Sequence, residues 1–322
     1  MMKHWMVIAA ATAATFLFTT TSHAVTIAMV PVGNPGNAPD TRYGGWGSVG
    51  YSYQIGKYEV TAGQYTEFLN AVAKADPNGL YKTGPASANI VRSGSSPNFS
   101  YSVASDWANR PVNYVSFWDA TRFANWLHNG QPTGAQGPGT TEDGAYHDVG
   151  NLTLSGRNAG ATFVIPTLDE WYKTAYHKND GASGNYWDYP TASNTAPINT
   201  LPDPGNHSNF DDDFIIGKTI GFPYYRTQVG EFANSPSPYG TFDQGGNVWE
   251  WIDSPGGVTR GLRGGSFVND SSRQRASLGN GLNASQSDND VGFRVASLIP
   301  EPGSITLCVV GVMTFMLRRR TR

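Results

Sequence analysis

Residues 181–238 are built largely of Asn, Pro, Gly, Asp and Tyr and carry little helical or strand periodicity. So long and weakly charged a segment inside a folded chain implies ordered functional loops or bound ions, not free linker. The 38 glycines and 20 prolines of the 322-residue sequence point the same way, to much irregular loop and few long helices. The periodic pieces are short. Strands are expected over 25–32 and 53–60. Thr61 caps a helix carrying Gln64, Tyr65, Phe68, Leu69 and Val72, and Ser116 opens a second with Phe117, Trp118, Ala120, Phe123, Ala124 and Leu127. Thr167 caps a third over 168–176. Residues 77–102 and 130–151 read as loop, and 247–252, 260–267 and 292–297 as short strands. Neither an internal repeat nor a second domain boundary is evident.

The two ends stand apart from this domain. Lys3 and His4, the apolar run 7–18 and Ser22-His23-Ala24 form the pattern of an export signal over 1–24. At the other end Pro300-Glu301-Pro302 precedes an apolar run, 305–317, and then Arg318, Arg319, Arg320 and Arg322. That run is shorter than the usual spanning length of about 20 residues. The tripartite end, 300–322, resembles the PEP-CTERM sorting signal of exopolysaccharide-exporting bacteria, which implies an exosortase-type protease as partner. An ordinary C-terminal membrane anchor is the alternative, and both place 25–299 outside the cytoplasm, at the cell surface or in the extracellular matrix. A net charge of −3 with 15% charged residues offers no basic surface for nucleic acid. The only cysteine, Cys308, lies in the C-terminal apolar run, so 25–299 has neither a disulfide framework nor a thiol nucleophile.

Six blocks carry a resemblance: IGKYEVTAGQYTEFLN (55–70), RPVNYVSFWDATRFANWL (110–127), IPTLDEWYKTA (165–175), YGTFDQGGNVWEWID (239–253), RGLRGGSF (260–267) and GFRVA (292–296). In this order they resemble the sulfatase-modifying-factor, or formylglycine-generating-enzyme, family. The resemblance implies a single α+β domain over 25–299 with a C-type-lectin-like fold and little regular secondary structure. It also implies a cysteine pair after Gly264-Gly265-Ser266 that binds copper, activates oxygen and converts a substrate cysteine to formylglycine. Those positions hold Asn269 and Gln274. Neither supplies the thiolate that copper(I) requires, so no copper is expected and the reading leans away from an enzyme. His128, His147, His177 and His207 lack the paired spacing of the iron-dependent branch.

Calcium is the metal the resemblance does imply. Asp243, Gly246, Val248 and Glu250 match one site of the family, with two carboxylates and two carbonyls to suit a hard cation. Asn209 with Asp211-Asp212-Asp213 is the local candidate for another. A solvated turn is the plain alternative for both. Trp249 and Trp251 share one face of a strand and favour core packing. Arg263 and Arg294 read as partly buried structural cations, with Glu170 as one possible carboxylate partner. The leading functional expectation is a non-catalytic surface domain whose cleft, lined by Trp249, Ser266, Asn269, Arg273 and Gln274, takes a carbohydrate or a peptide. A thiol-independent or formylglycine-generating oxidoreductase and a purely structural surface protein are the alternatives.

Overall fold

Thr61, Ser116 and Thr167 each begin a helix with a reciprocal capping box. Each hydroxyl accepts the amide of the third helical residue, and the side chains of Gln64, Asp119 and Glu170 return to the cap amides. Two otherwise orphaned donors are thereby satisfied at each start. The structure, a computed structural model, describes residues 24–82, 89–151, 156–212, 217–254 and 257–298. Residues 1–23 of the expected export signal, the sorting segment with Cys308, and Asp213 lie outside the described residues.

In chain order the elements are β1 (Met29–Val32), β2 (Tyr53–Gly56), α1 (Ala62–Val72), β3 (Ile90–Ser93), β4 (Ser100–Val103), α2 (Ser105–Ala108), α3 (Phe117–His128), β5 (Phe163–Val164), α4 (Leu168–Tyr176), β6 (Asp211–Asp212), β7 (Gly217–Lys218), β8 (Trp249–Ile252), β9 (Thr259–Arg263), β10 (Asn280–Asn283), β11 (Val291–Gly292) and β12 (Ala296–Leu298). One antiparallel sheet runs β1-β2-β12-β5, so the end of the domain is inserted between its early strands. The other runs β10-β9-β8-β11, with β11 parallel to β8. Phe68, Phe123, Trp126 and Phe293 meet at centroid distances of 5.3–5.7 Å and tie both helices to the strand ends. Trp171, Tyr172, Tyr176, Tyr186 and Ile252 form a smaller core around α4.

Four expectations change. Residues 77–102 are not all loop: β3 and β4 form a hairpin, with Arg92 4.7 Å from the Tyr81 ring centroid and 4.2 Å from that of Phe99. The strand expected over 53–60 ends at Gly56, because the Gly56 and Lys57 amides turn to Val295 and Ala28. The stretch 292–297 divides between two sheets, and β10 was not anticipated. The irregularity expected of 181–238 is what the described residues show, with only the two-residue strands β6 and β7 inside it.

Candidate functional site

β8 carries Glu250 into the centre of the molecule, where Arg294 meets it from the turn between β11 and β12. Both side chains are fully buried. Arg294 donates from Nε and Nη2 to the two carboxylate oxygens, each at 2.6 Å, and Trp171 Nε1 adds a third donor at 2.7 Å. The remaining guanidinium donors reach the carbonyls of Gly56 and Phe242, both at 2.9 Å. This planar fork joins both sheets to the loop before β8.

Two more buried carboxylates stand beside the pair. Among the described residues no other residue hydrogen-bonds either carboxylate oxygen of Glu59. Burial, then the charges of Asp243 and Glu250, push its carboxyl well above the ordinary range, while Arg294 pulls the other way. Asp243 is raised to about 6, by burial first, although the Gly230 amide donates to it at 2.6 Å. A carboxylate held in this way is costly unless it is protonated or meets a cation. The calcium set read from the sequence is therefore only partly supplied. Asp243 fits a hard cation, whereas Glu250 is engaged by Arg294 and Trp171. Glu59, which the sequence reading did not assign, has the free oxygens instead. Among the described residues no three acidic, histidine or cysteine side chains converge to hold a metal. Main-chain oxygens would therefore have to complete such a shell, as expected of Gly246 and Val248.

The turn between these acids depends on Gly246. Its φ is +80°, and a Cβ there would lie 2.1 Å from the Asn209 carbonyl oxygen. Of the second expected set, Asn209 and Asp211 are engaged among the described residues, although Asn209 Oδ1 accepts no hydrogen bond from them. The Asn209 amide donates to the Tyr225 carbonyl and to Asn247 Oδ1, each at 3.0 Å, while Asp211 pairs with Lys218.

The five expected cleft residues do not share one open cleft. Trp249, Ser266 and Gln274 are buried, Asn269 is half-buried and Arg273 is exposed. Gln274 accepts from Ser208 Oγ at 2.8 Å, and its carbonyl accepts from Tyr176. Ser266 Oγ contacts Asn269 Oδ1 at 2.9 Å and Asp290 Oδ2 at 2.7 Å, and the Asn269 carbonyl accepts the Asp211 amide. Both residues at the expected cysteine positions thus fasten neighbouring loops. Beside them Phe267 stacks on Tyr225 at 5.8 Å, and Tyr225 meets Phe222, which is 85% exposed. Tyr225 has a φ of 57°, uncommon for a bulky residue.

The remaining site candidates are dispersed. Glu170 pairs bidentately with Arg157, not with Arg263 or Arg294. Arg263 instead donates to the carbonyls of Ala276 and Leu278 and lies over Trp46. His177 bonds Tyr239, His207 the Thr200 carbonyl, His128 Thr162 and His147 Asp143.

Fold and centre together define a single α+β domain with few helices, closed around a buried arginine–carboxylate pair. A family model described as the sulfatase-modifying factor enzyme 1-like domain matches residues 47–299, and the chain belongs to that family. Among solved structures, CarF is similar at a TM-score of 0.54 and 20% identity, over 86% of this chain and all of that one. Variable protein 1 of Treponema denticola is similar at 0.53 and 19%, over 87% of this chain and 98% of its own. At these identities the likeness shows the fold alone. No curated protein matches.

Proposed function

We propose that this is an exported, non-catalytic member of the family, with a C-type-lectin-like fold that binds a carbohydrate or peptide. The carrying observation is the state of Asn269 and Gln274. At the positions the resemblance gives to the family's copper-binding thiols, this chain has amides, one buried against Ser208 and the other joined to Ser266. An amide cannot hold copper(I) or enter a thiol–disulfide step. The ladder Phe267–Tyr225–Phe222 supports binding nearby, because it runs from buried Phe267, two residues before Asn269, out to the exposed ring of Phe222. Glu59 and Asp243 would hold a calcium ion, whose charge would make their burial favourable and fix the loop leading to β8. Export by the N-terminal signal and processing of the 300–322 tail by an exosortase-type protease belong to the same reading.

The test is direct. Purified protein with copper, oxygen and a Cys-x-Pro-x-Arg peptide should leave the peptide mass unchanged; conversion to formylglycine would overturn the non-catalytic reading. On glycan and peptide arrays the protein should retain a ligand that Phe222→Ala weakens.

A further inference from the structure

A groove of about 520 Å³ lies at the N-terminal end of α4, between the 46–51 loop and the end of β8. Gln274, at the expected cysteine position, instead meets Tyr176 at the other end of that helix. Trp46 and Tyr51 line the groove with Asp169 and Asp253. We infer that this groove is a saccharide subsite, in which the two aspartates accept hydroxyls from a neutral sugar whose apolar face rests on Trp46 and Tyr51.

The argument begins with Asp253. Its side chain is only 9% exposed, yet its contacts are long: Arg157 Nε at 3.6 Å and Tyr146 Oη at 3.4 Å, both to Oδ2. Arg157 is committed elsewhere, since Glu170 takes both its Nη atoms, at 2.8 and 2.5 Å. No hydrogen bond among the described residues reaches Asp253 Oδ1. Asp169 accepts the Gly47 amide at 2.8 Å and has no cation partner among the described residues. Of the hydroxyls nearby, Tyr51 donates to Glu170 and Ser48 to the Asn37 carbonyl, while Thr167 Oγ1 accepts the Glu170 amide. The groove therefore presents acceptors and calls for a ligand that brings donors.

Charge selects among donor-bearing ligands. Arg157 pairs with Glu170 and, together with Arg260, offsets the charge of Asp253, while Arg263 lies 4.5 Å from the Trp46 ring centroid. Glu170 and Asp253 are thus compensated, and the one remaining carboxylate, Asp169, disfavours an anionic ligand. Arg263 already uses the attraction that Trp46 would offer a second cation. A neutral ring with adjacent hydroxyls meets both conditions: it donates pairwise to a carboxylate and carries an apolar face. The groove and the Phe222 face are separate, so this inference does not rest on the ligand proposed there.

Full-length protein should be titrated with neutral hexoses and their short oligomers, followed by ligand-observed NMR, with agmatine and glucuronate as cationic and anionic comparators. At least one neutral sugar should bind, and Asp253→Asn should weaken it by about tenfold or more, the loss expected for one charge-assisted hydrogen bond. Trp46→Leu should weaken it too, and Phe222→Ala should leave it unchanged. If D253N does not fold, W46L alone decides. Absence of binding by any neutral sugar, tighter binding of agmatine, or sugar affinity indifferent to a folded D253N and to W46L would each overturn the inference. Loss of sugar binding in F222A would assign the ligand to the other face instead.

Discussion

The sequence marks Arg294 as a structural cation and Glu250 as a calcium ligand, yet they hold each other through two 2.6 Å contacts. Spacing in the chain told which residues point inward but not which of two cations, guanidinium or metal, claims a given carboxylate. Glu59 gave even less signal, as a lone carboxylate between Tyr58 and Val60 in a strand-like run. Removing one member of a fully buried pair strands the other charge, so Arg294→Met should cost about 3–5 kcal/mol in chemical denaturation. A loss below about 1 kcal/mol would mean that solvent reaches the pair. Lys173 gives a pH prediction. Burial lowers its pKa to about 8, and its Nζ donates to the Asn34 carbonyl at 2.8 Å. Between that value and 10.5, its ordinary value, the unfolded chain binds more protons than the folded one. The group's contribution to stability therefore rises with pH across this window, and its full penalty applies below it. Lys173→Met should raise the urea midpoint near neutral pH, and that gain should shrink as the pH approaches about 10. A gain independent of pH would refute the electrostatic cause.

At the scale of elements, the three capped helices were the most legible part of the chain, because a cap and its return residue lie three positions apart and need nothing distant. Ser116 is the most enclosed of them, 3% exposed, with its Oγ 2.7 Å from Asp119 Oδ2. Ser116→Ala should destabilise the protein by about 1 kcal/mol in a denaturant titration, or up to about 2 because the cap is buried. No measurable change would place the helix start elsewhere. The β3–β4 hairpin was illegible for the opposite reason. Its residues are mostly Ser, Arg and small turn formers, and what steadies it is Arg92 stacked between Tyr81 and Phe99, with Asn70 of α1 bonded to the Tyr101 amide and carbonyl. No local pattern announces such partners. The two-residue strands in the last third lie below the length at which alternation can be read.

Across the whole molecule, order in so loop-rich a chain must come from contacts between distant segments, and the acids around Glu250 gather three of them. Glu59 follows β2, Asp243 precedes β8, and Arg294 joins β11 to β12. The six sequence blocks made this assembly legible as a fold, while the division of labour among its carboxylates needed the third dimension. If calcium occupies the space between Glu59 and Asp243, it couples these segments, and its effect has a distinctive sign. At a free concentration about a hundredfold above its dissociation constant, calcium should stabilise the protein by about 2.7 kcal/mol, seen as a higher melting temperature than in chelator. Glu59→Gln should abolish that gain. In chelator the same variant should melt higher than the parent, because it removes a buried carboxylate that no other described residue hydrogen-bonds. A variant more stable than the parent without calcium and less stable with it fits a metal ligand and not a mere repulsive charge. Were Glu59 simply a protonated core residue, calcium would shift neither protein, and the variant's offset from the parent would be the same in both buffers.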